Sequence, residues 1–127
     1  MVYDVIILGS GPAGLTAAIY TQRFGLSTVL VAGRKWGGQL MFTTDVENYP
    51  GYAHIMGPDL MQKMRDQVTG LGVTIIDKDF TELNATEKPF KVTAEDETIE
   101  GKTVIVATGA DTRWLGVPNE ERLRGHG

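Results

Sequence analysis

The chain contains no cysteine. Within these 127 residues that excludes disulfides, thiolate metal sites and a redox dithiol. Positive charge is also short: 12 Lys and Arg face 16 Asp and Glu, a net charge of −4. With no long basic run to offset it, this balance argues against nucleic acid as a partner. No apolar run is long enough to span a bilayer, so a membrane partner is not expected. The N-terminus lacks a basic leader followed by an apolar core, and the expected compartment is the cytoplasm. Internal repeats and low-complexity tracts are absent. Trp36, Trp114, His54 and His126 have no partners at ligand or catalytic spacing, which marks them as packing or surface residues.

What the chain does have is enough apolar sequence, 42%, for one core, and a distinctive beginning. Val5-Ile6-Ile7-Leu8 reads as a strand buried on both faces. It runs straight into Gly9-Ser10-Gly11-Pro12-Ala13-Gly14, and Leu15 to Tyr20 then reads as a helix. Strand, glycine turn and helix in this order form the unit that holds a pyrophosphate. Gly9 permits the sharp turn, Gly11 lets backbone approach phosphate, and Gly14 lets the helix sit close on the sheet. The helix N-terminus offers free N–H groups to the anion, and Pro12 falls where no donor is needed.

Gly25 is placed to end the helix, and Ser27 to Ala32 supplies a second strand, completing a βαβ unit. A dinucleotide fold usually carries an acidic residue near the end of that strand, for the adenosine ribose. Here the positions hold Ala32, Gly33 and Arg34. Arg34 and Lys35 could greet a 2′-phosphate, as in an NADP site; equally, backbone around Gly33 could serve the ribose while both cations stay solvated. A second glycine-rich loop follows, Lys35-Trp36-Gly37-Gly38-Gln39-Leu40, and then a long polar stretch from Thr43 to Gly51. Loops of that length tend to be functional. Gln39 and Asn48 can each donate and accept, as needed to read the edge of a flavin ring. They could equally belong to an ordinary surface loop whose Asn and Thr close turns.

Gly57-Pro58-Asp59 opens a helix predicted to reach about Thr69, with Leu60, Met64, Val68 and Leu71 as its core stripe. Val73 to Ile76 is a third parallel strand. Phe80 to Asn84, Phe90 to Ala94 and Glu97 to Glu100 alternate like an antiparallel meander. Lys102 to Ala107 is predicted as a separate, buried strand ending at Thr108-Gly109-Ala110. The remainder, Asp111 to Gly127, reads as loop and exit linker.

Gly9 to Gly14, Gly37-Gly38-Gln39-Leu40, Val46-Glu47-Asn48-Tyr49-Pro50-Gly51 and Ala107-Thr108-Gly109-Ala110 occur in that order. Together they resemble the N-terminal FAD-binding segment of the low-molecular-weight thioredoxin reductases, flavoproteins of the pyridine nucleotide-disulfide oxidoreductase family. The resemblance covers nearly the whole chain and turns the Arg34 question towards FAD. It implies an α/β, Rossmann-like parallel sheet with a small antiparallel β-meander, residues 1–110 forming the first part of an FAD domain and 111–127 leading out of it. It further implies that Gly9, Ser10, Gly11, Pro12, Ala13 and Gly14 hold the pyrophosphate. Gly33 and Arg34 would lie near the adenosine, and the backbone at Phe80 would flank the adenine, although Phe80 could be simply a core aromatic. Gly38, Gln39, Leu40, Thr44 and Asn48 would face the flavin end, with Ala107, Thr108 and Gly109 closing the site.

In that family electrons pass from NADPH to FAD, to a CxxC pair and on to thioredoxin, in a homodimer. The NADPH site and CxxC lie beyond the matched segment, so the expectation is a fragment inactive by itself, with no catalytic residue of its own. Two alternatives remain on sequence grounds: a ferredoxin- or flavodoxin-linked NADP reductase of the same architecture, and a non-catalytic flavin-binding module.

Overall fold

The structure, a computed structural model, describes residues 1–124 and 126. Six strands form one sheet in the order β3-β2-β1-β6-β5-β4. The parallel half begins with β1 (Val2–Leu8), which leads through α1 (Pro12–Arg23) to β2 (Thr28–Val31). A 3₁₀ turn (Gly38–Phe42) and α2 (Gly57–Gly70) then connect to β3 (Thr74–Ile76). β4 (Phe80–Asn84) and β5 (Phe90–Ala94) lead to β6 (Glu97–Val106), and a short α3 (Glu120–Leu123) follows.

β1 is central because its side chains are apolar on both faces. Val5 and Ile7 pack with Leu30, Leu15 and Ala18 of α1, and Leu60, Met61, Met64 and Val68 of α2. Ile6 and Leu8 point the other way, with Val29 and Val31, onto Val92, Ala94 and Ile99 of the meander. One face of the parallel strands is thus covered by helices and the other by the curled-back antiparallel strands. Both crossovers place their helices on the same face, as right-handed βαβ connections on one side of a parallel sheet require.

α1 starts at Pro12, three residues earlier than the apolar run alone marks, because Pro12 is preset for a first helical turn. It ends at Phe24, and Gly25 takes the left-handed conformation at φ 78°. α2 buries Met61 beside the expected Leu60, Met64 and Val68, whereas Leu71 is its half-buried C-cap.

Three features differ from the sequence expectations. The glycine-rich loop is partly regular, Gly38–Phe42 forming the 3₁₀ turn. The two predicted strands 97–100 and 102–107 are one ten-residue strand, β6, with Gly101 inside it. Gly101 is a close approach and not a break: a Cβ there would stand 2.6 Å from Ile6 Cγ1. The first half of β6 pairs antiparallel with β5, from Ala94↔Glu97 to Phe90↔Gly101. The strand runs parallel to β1 from Val2↔Glu100 to Leu8↔Val106. Its second half is not buried, with Val106 64% exposed, because, among the described residues, 102–106 have a strand neighbour on one side only.

The stretch after Ala110 is largely irregular apart from α3, whose Glu120 carboxylate accepts the N–H groups of Leu115 and Gly116. Gly125 and Gly127, the end of that predicted linker, lie outside the described residues. Among the described residues no helix is long and apolar enough to cross a membrane.

Candidate functional site

The C-terminal ends of β1, β2 and β6 meet at one cleft of about 560 Å³. Open α/β sheets bind ligands at such strand ends, and the volume is within the usual range for small-molecule sites. The lining comprises Gly9 to Ala13, Val31 to Gly33, Lys35, Gly38, Gln39, Asp79, Phe80 and Ala107 to Ala110.

Close backbone contacts between three loops build it. Gly9 has φ 110°, and a Cβ on it would lie 2.2 Å from the Ala107 carbonyl oxygen. The first turn and the end of β6 therefore touch through bare backbone. Gly14 does the same one turn into α1, where a Cβ would meet the Gly9 carbonyl oxygen at 1.9 Å. Gly38 presses the second loop on the first, its Cβ position lying 3.2 Å from Gly11 Cα. At Gly11 a Cβ would meet nothing within 4 Å. That position faces the open cleft.

Ser10 fastens these loops. It is buried, donates its hydroxyl to the Ala32 carbonyl at 2.7 Å and accepts the Gly37 N–H at 3.1 Å. On the other lip, Gln39 Nε2 donates to the Ala110 carbonyl at 2.9 Å. The 3₁₀ turn is seated from below by Gly57, which donates its N–H to Thr43 and where a Cβ would fall 2.0 Å from the Leu40 carbonyl oxygen.

The α1 N-terminus opens on this cleft with no side-chain cap and no acidic residue in its first turn. The N–H groups of its first turn have no partner within the helix, and the helix dipole places partial positive charge there. A phosphate fits such a terminus without further provision. The cradle is therefore suited to the pyrophosphate of a dinucleotide, with room along the cleft for groups on either side.

Of the residues expected from sequence, the cleft brings together Gly9, Ser10, Gly11, Pro12, Ala13, Gly33, Gly38, Gln39, Phe80, Ala107, Thr108 and Gly109. Gly14 stands behind them, against Gly9. Leu40 packs on the core cluster, and Thr44 and Asn48 are exposed outside the lining. The side chain of Arg34 turns away, its Nε and Nη2 held by the two Glu95 carboxylate oxygens at 2.6 and 2.7 Å. That guanidinium holds the Glu95 carboxyl below its ordinary range, and the carboxylate in turn raises Arg34. Lys35, weighed from sequence only as a partner for a 2′-phosphate, lines the cleft; Asp79 lines it without having been singled out, and accepts the Arg34 N–H at 2.9 Å.

Of the four residues read as packing or surface residues, the two tryptophans do pack, and His54 has carboxylate neighbours that its spacing did not reveal. Trp36 lies under the Arg65 guanidinium at 4.6 Å, and Arg124 lies over Trp114 at 5.3 Å. His54 pairs with Asp45, and Glu47 is close by, all three exposed, their ligand-capable atoms lying within 4.8 Å of one another. An antiparallel bridge between Val46 and Ile55 causes this, burying those two and leaving their neighbours on the solvent side.

A βαβ unit whose glycine turn and uncapped helix end open on a strand-end cleft defines a dinucleotide-binding protein of the α/β class. Residues 3–127 match the family model described as pyridine nucleotide-disulphide oxidoreductase, and the chain belongs to that family. It is 46% identical over 125 residues to a thioredoxin reductase of Rickettsia bellii, covering 97% of this chain and 40% of that protein. Among solved structures it is similar to the thioredoxin reductase of Streptococcus pyogenes, with TM-score 0.86, 45% identity, and coverage of 96% of this chain and 40% of that one. The thioredoxin reductase of Lactococcus lactis matches with TM-score 0.87 at the same identity and coverage. These relatives are the proteins to which the sequence motifs pointed, and the chain spans about 40% of their length.

Proposed function

We propose that the cleft holds FAD and that residues 1–110 form the FAD-binding part of an NADPH-dependent thioredoxin-disulfide reductase, with 111–127 leading out of it. The observation that carries this is the convergence of three glycine-bearing loops on one cleft at an uncapped helix N-terminus. The similarity to thioredoxin reductases over nearly the whole chain supports it.

In this proposal the free N–H groups at the start of α1 bind the pyrophosphate, and Gly11 keeps the approach open. Gly33 and Phe80 take the adenosine end. Gly38 and Gln39 take the flavin end, facing Ala107 to Gly109 across the cleft. FAD, when bound, supplies a two-electron carrier between a nicotinamide and a disulfide. This chain's residues bind and orient it, while the NADPH site, the CxxC pair and the thioredoxin contact belong to polypeptide outside these residues. The working enzyme is proposed to be a cytoplasmic homodimer, as the resemblance implies.

The test is to express the protein with whatever sequence its reading frame carries beyond Gly127 and to record its absorption spectrum after desalting. Flavin bands that persist, and FAD released on denaturation in about one equivalent, are the expected result. A colourless protein that fails to take up added FAD refutes the proposal.

A further inference from the structure

The end of β2 and the turn after it have no carboxylate, the positions being Val31, Ala32 and Gly33. The fold nevertheless puts one there. Asp79, on the connection between β3 and β4, lines the cleft beside Gly33 and Phe80. Its Oδ1 accepts the Arg34 N–H at 2.9 Å and lies 3.2 Å from where a Cβ on Gly33 would stand. The glycine thus leaves the carboxylate room to lie against the turn after β2.

Of the two cations that follow Gly33, Arg34 is neutralised in the same place, while Lys35 lines the cleft. Arg34 gives both of its forked donors to Glu95, and the Asp79 N–H reaches the same carboxylate at 3.3 Å. One segment therefore presents an acceptor-only group to the cleft, and the guanidinium suited to a phosphate is already engaged.

We propose that Asp79 is the specificity-determining residue for the adenosine ribose: its carboxylate accepts the ribose hydroxyls and repels a 2′-phosphate. This rests on the FAD reading of the cleft and goes beyond it by assigning the selectivity to one residue from a different strand connection. A carboxylate accepting a hydroxyl makes a charge-assisted bond, whereas a carboxylate facing a phosphate is a like-charge contact.

The experiment uses the protein with its natural downstream sequence, stripped of flavin. Affinities are measured by calorimetry for FAD, ADP-ribose, 2′-deoxy-ADP-ribose and 2′-phospho-ADP-ribose. The unaltered protein should bind ADP-ribose roughly tenfold more tightly than its 2′-deoxy form, and more tightly again than its 2′-phosphate. Asp79→Asn should weaken FAD and ADP-ribose by roughly tenfold and narrow the preference against the 2′-phosphate to about threefold or less. Asp79→Glu should keep the rejection of the 2′-phosphate. Equal binding of ADP-ribose and 2′-deoxy-ADP-ribose by the unaltered protein overturns the proposal, whether or not the variants fold. So does an Asp79→Asn protein with unchanged selectivity. Binding of ADP-ribose with the stated selectivity, but none of FAD, removes the flavin reading and leaves the Asp79 assignment standing; binding of neither removes both.

Discussion

The Ser10 hydroxyl accepts the Gly37 N–H at 3.1 Å, joining the first glycine loop to the second through one buried oxygen. The same oxygen donates to Ala32 at the end of β2, so three chain segments meet at one side chain.

Ser10→Ala should therefore be more damaging than its size suggests. It strands a buried N–H and a buried carbonyl, which costs about 1–3 kcal/mol. Urea unfolding should show a lower midpoint with an unchanged slope, and the variant should release FAD faster on dilution. A midpoint equal to that of the unaltered protein would show that solvent replaces the lost hydroxyl.

The two turn glycines should separate folding from binding. Gly9→Ala places a Cβ against the Ala107 carbonyl at a φ of 110°, so it should destabilise by at least about 1–3 kcal/mol. At Gly11 the backbone has an ordinary φ of −70°, and the added methyl meets only open cleft. Gly11→Ala should stay within about 0.5 kcal/mol of the parent in stability and lose flavin affinity by tenfold or more. Thermal melts of the flavin-free proteins and flavin titrations separate the two effects.

Gly101→Ala tests the close approach inside β6. The new methyl would overlap Ile6, which is fully buried, and overpacking of this kind costs about 1–3 kcal/mol. Ile6→Ala should be destabilising by itself, yet the pair should be less destabilised than the two changes added together. Strict additivity in a double-mutant cycle would contradict the contact.

Stability should fall in acid, and one pair should account for part of it. Asp4 is held well below the ordinary carboxylate range, first by the Lys102 ammonium at 2.6 Å and then by the Ser27 N–H and hydroxyl at 2.9 and 2.8 Å. Arg34 lowers Glu95 and Lys78 lowers Asp96 in the same sense. A carboxyl lowered on folding contributes fully above its unfolded value, about 4, and its contribution is lost as pH falls through the lower folded value. Melting temperature should therefore drop steadily below about pH 4, and Asp4→Asn should show a smaller drop across that window. Parallel curves for the two proteins would remove Asp4 from the account.

The parallel core was legible because its signals are local. Val5 to Leu8, the glycine turn and the Leu60-Met64-Val68 stripe each specify their element within a few residues. Gly101 misled because a glycine within a strand pattern normally marks a break, while its actual cause is Ile6, on another strand. Asp79 and Glu95 escaped notice for a similar reason: they lie 45 and 61 residues from Arg34, and only the sheet order brings them together. Asn48 is expected at a flavin edge from its amide and Thr44 from the resemblance alone; both flank Val46 of the Val46–Ile55 bridge, exposed and outside the cleft lining.

Residues 102–106 of β6 hydrogen-bond to β1 alone, and among the described residues no chain runs along their outer side. A row of unspent backbone donors and acceptors beside an apolar residue such as Val106 is a rail on which any extended polypeptide can seat itself. Copies of this stretch kept alone and concentrated will zip onto one another, so cloudiness on storage is the behaviour to expect of it, and a synthetic strand of matching register is the additive to keep it clear.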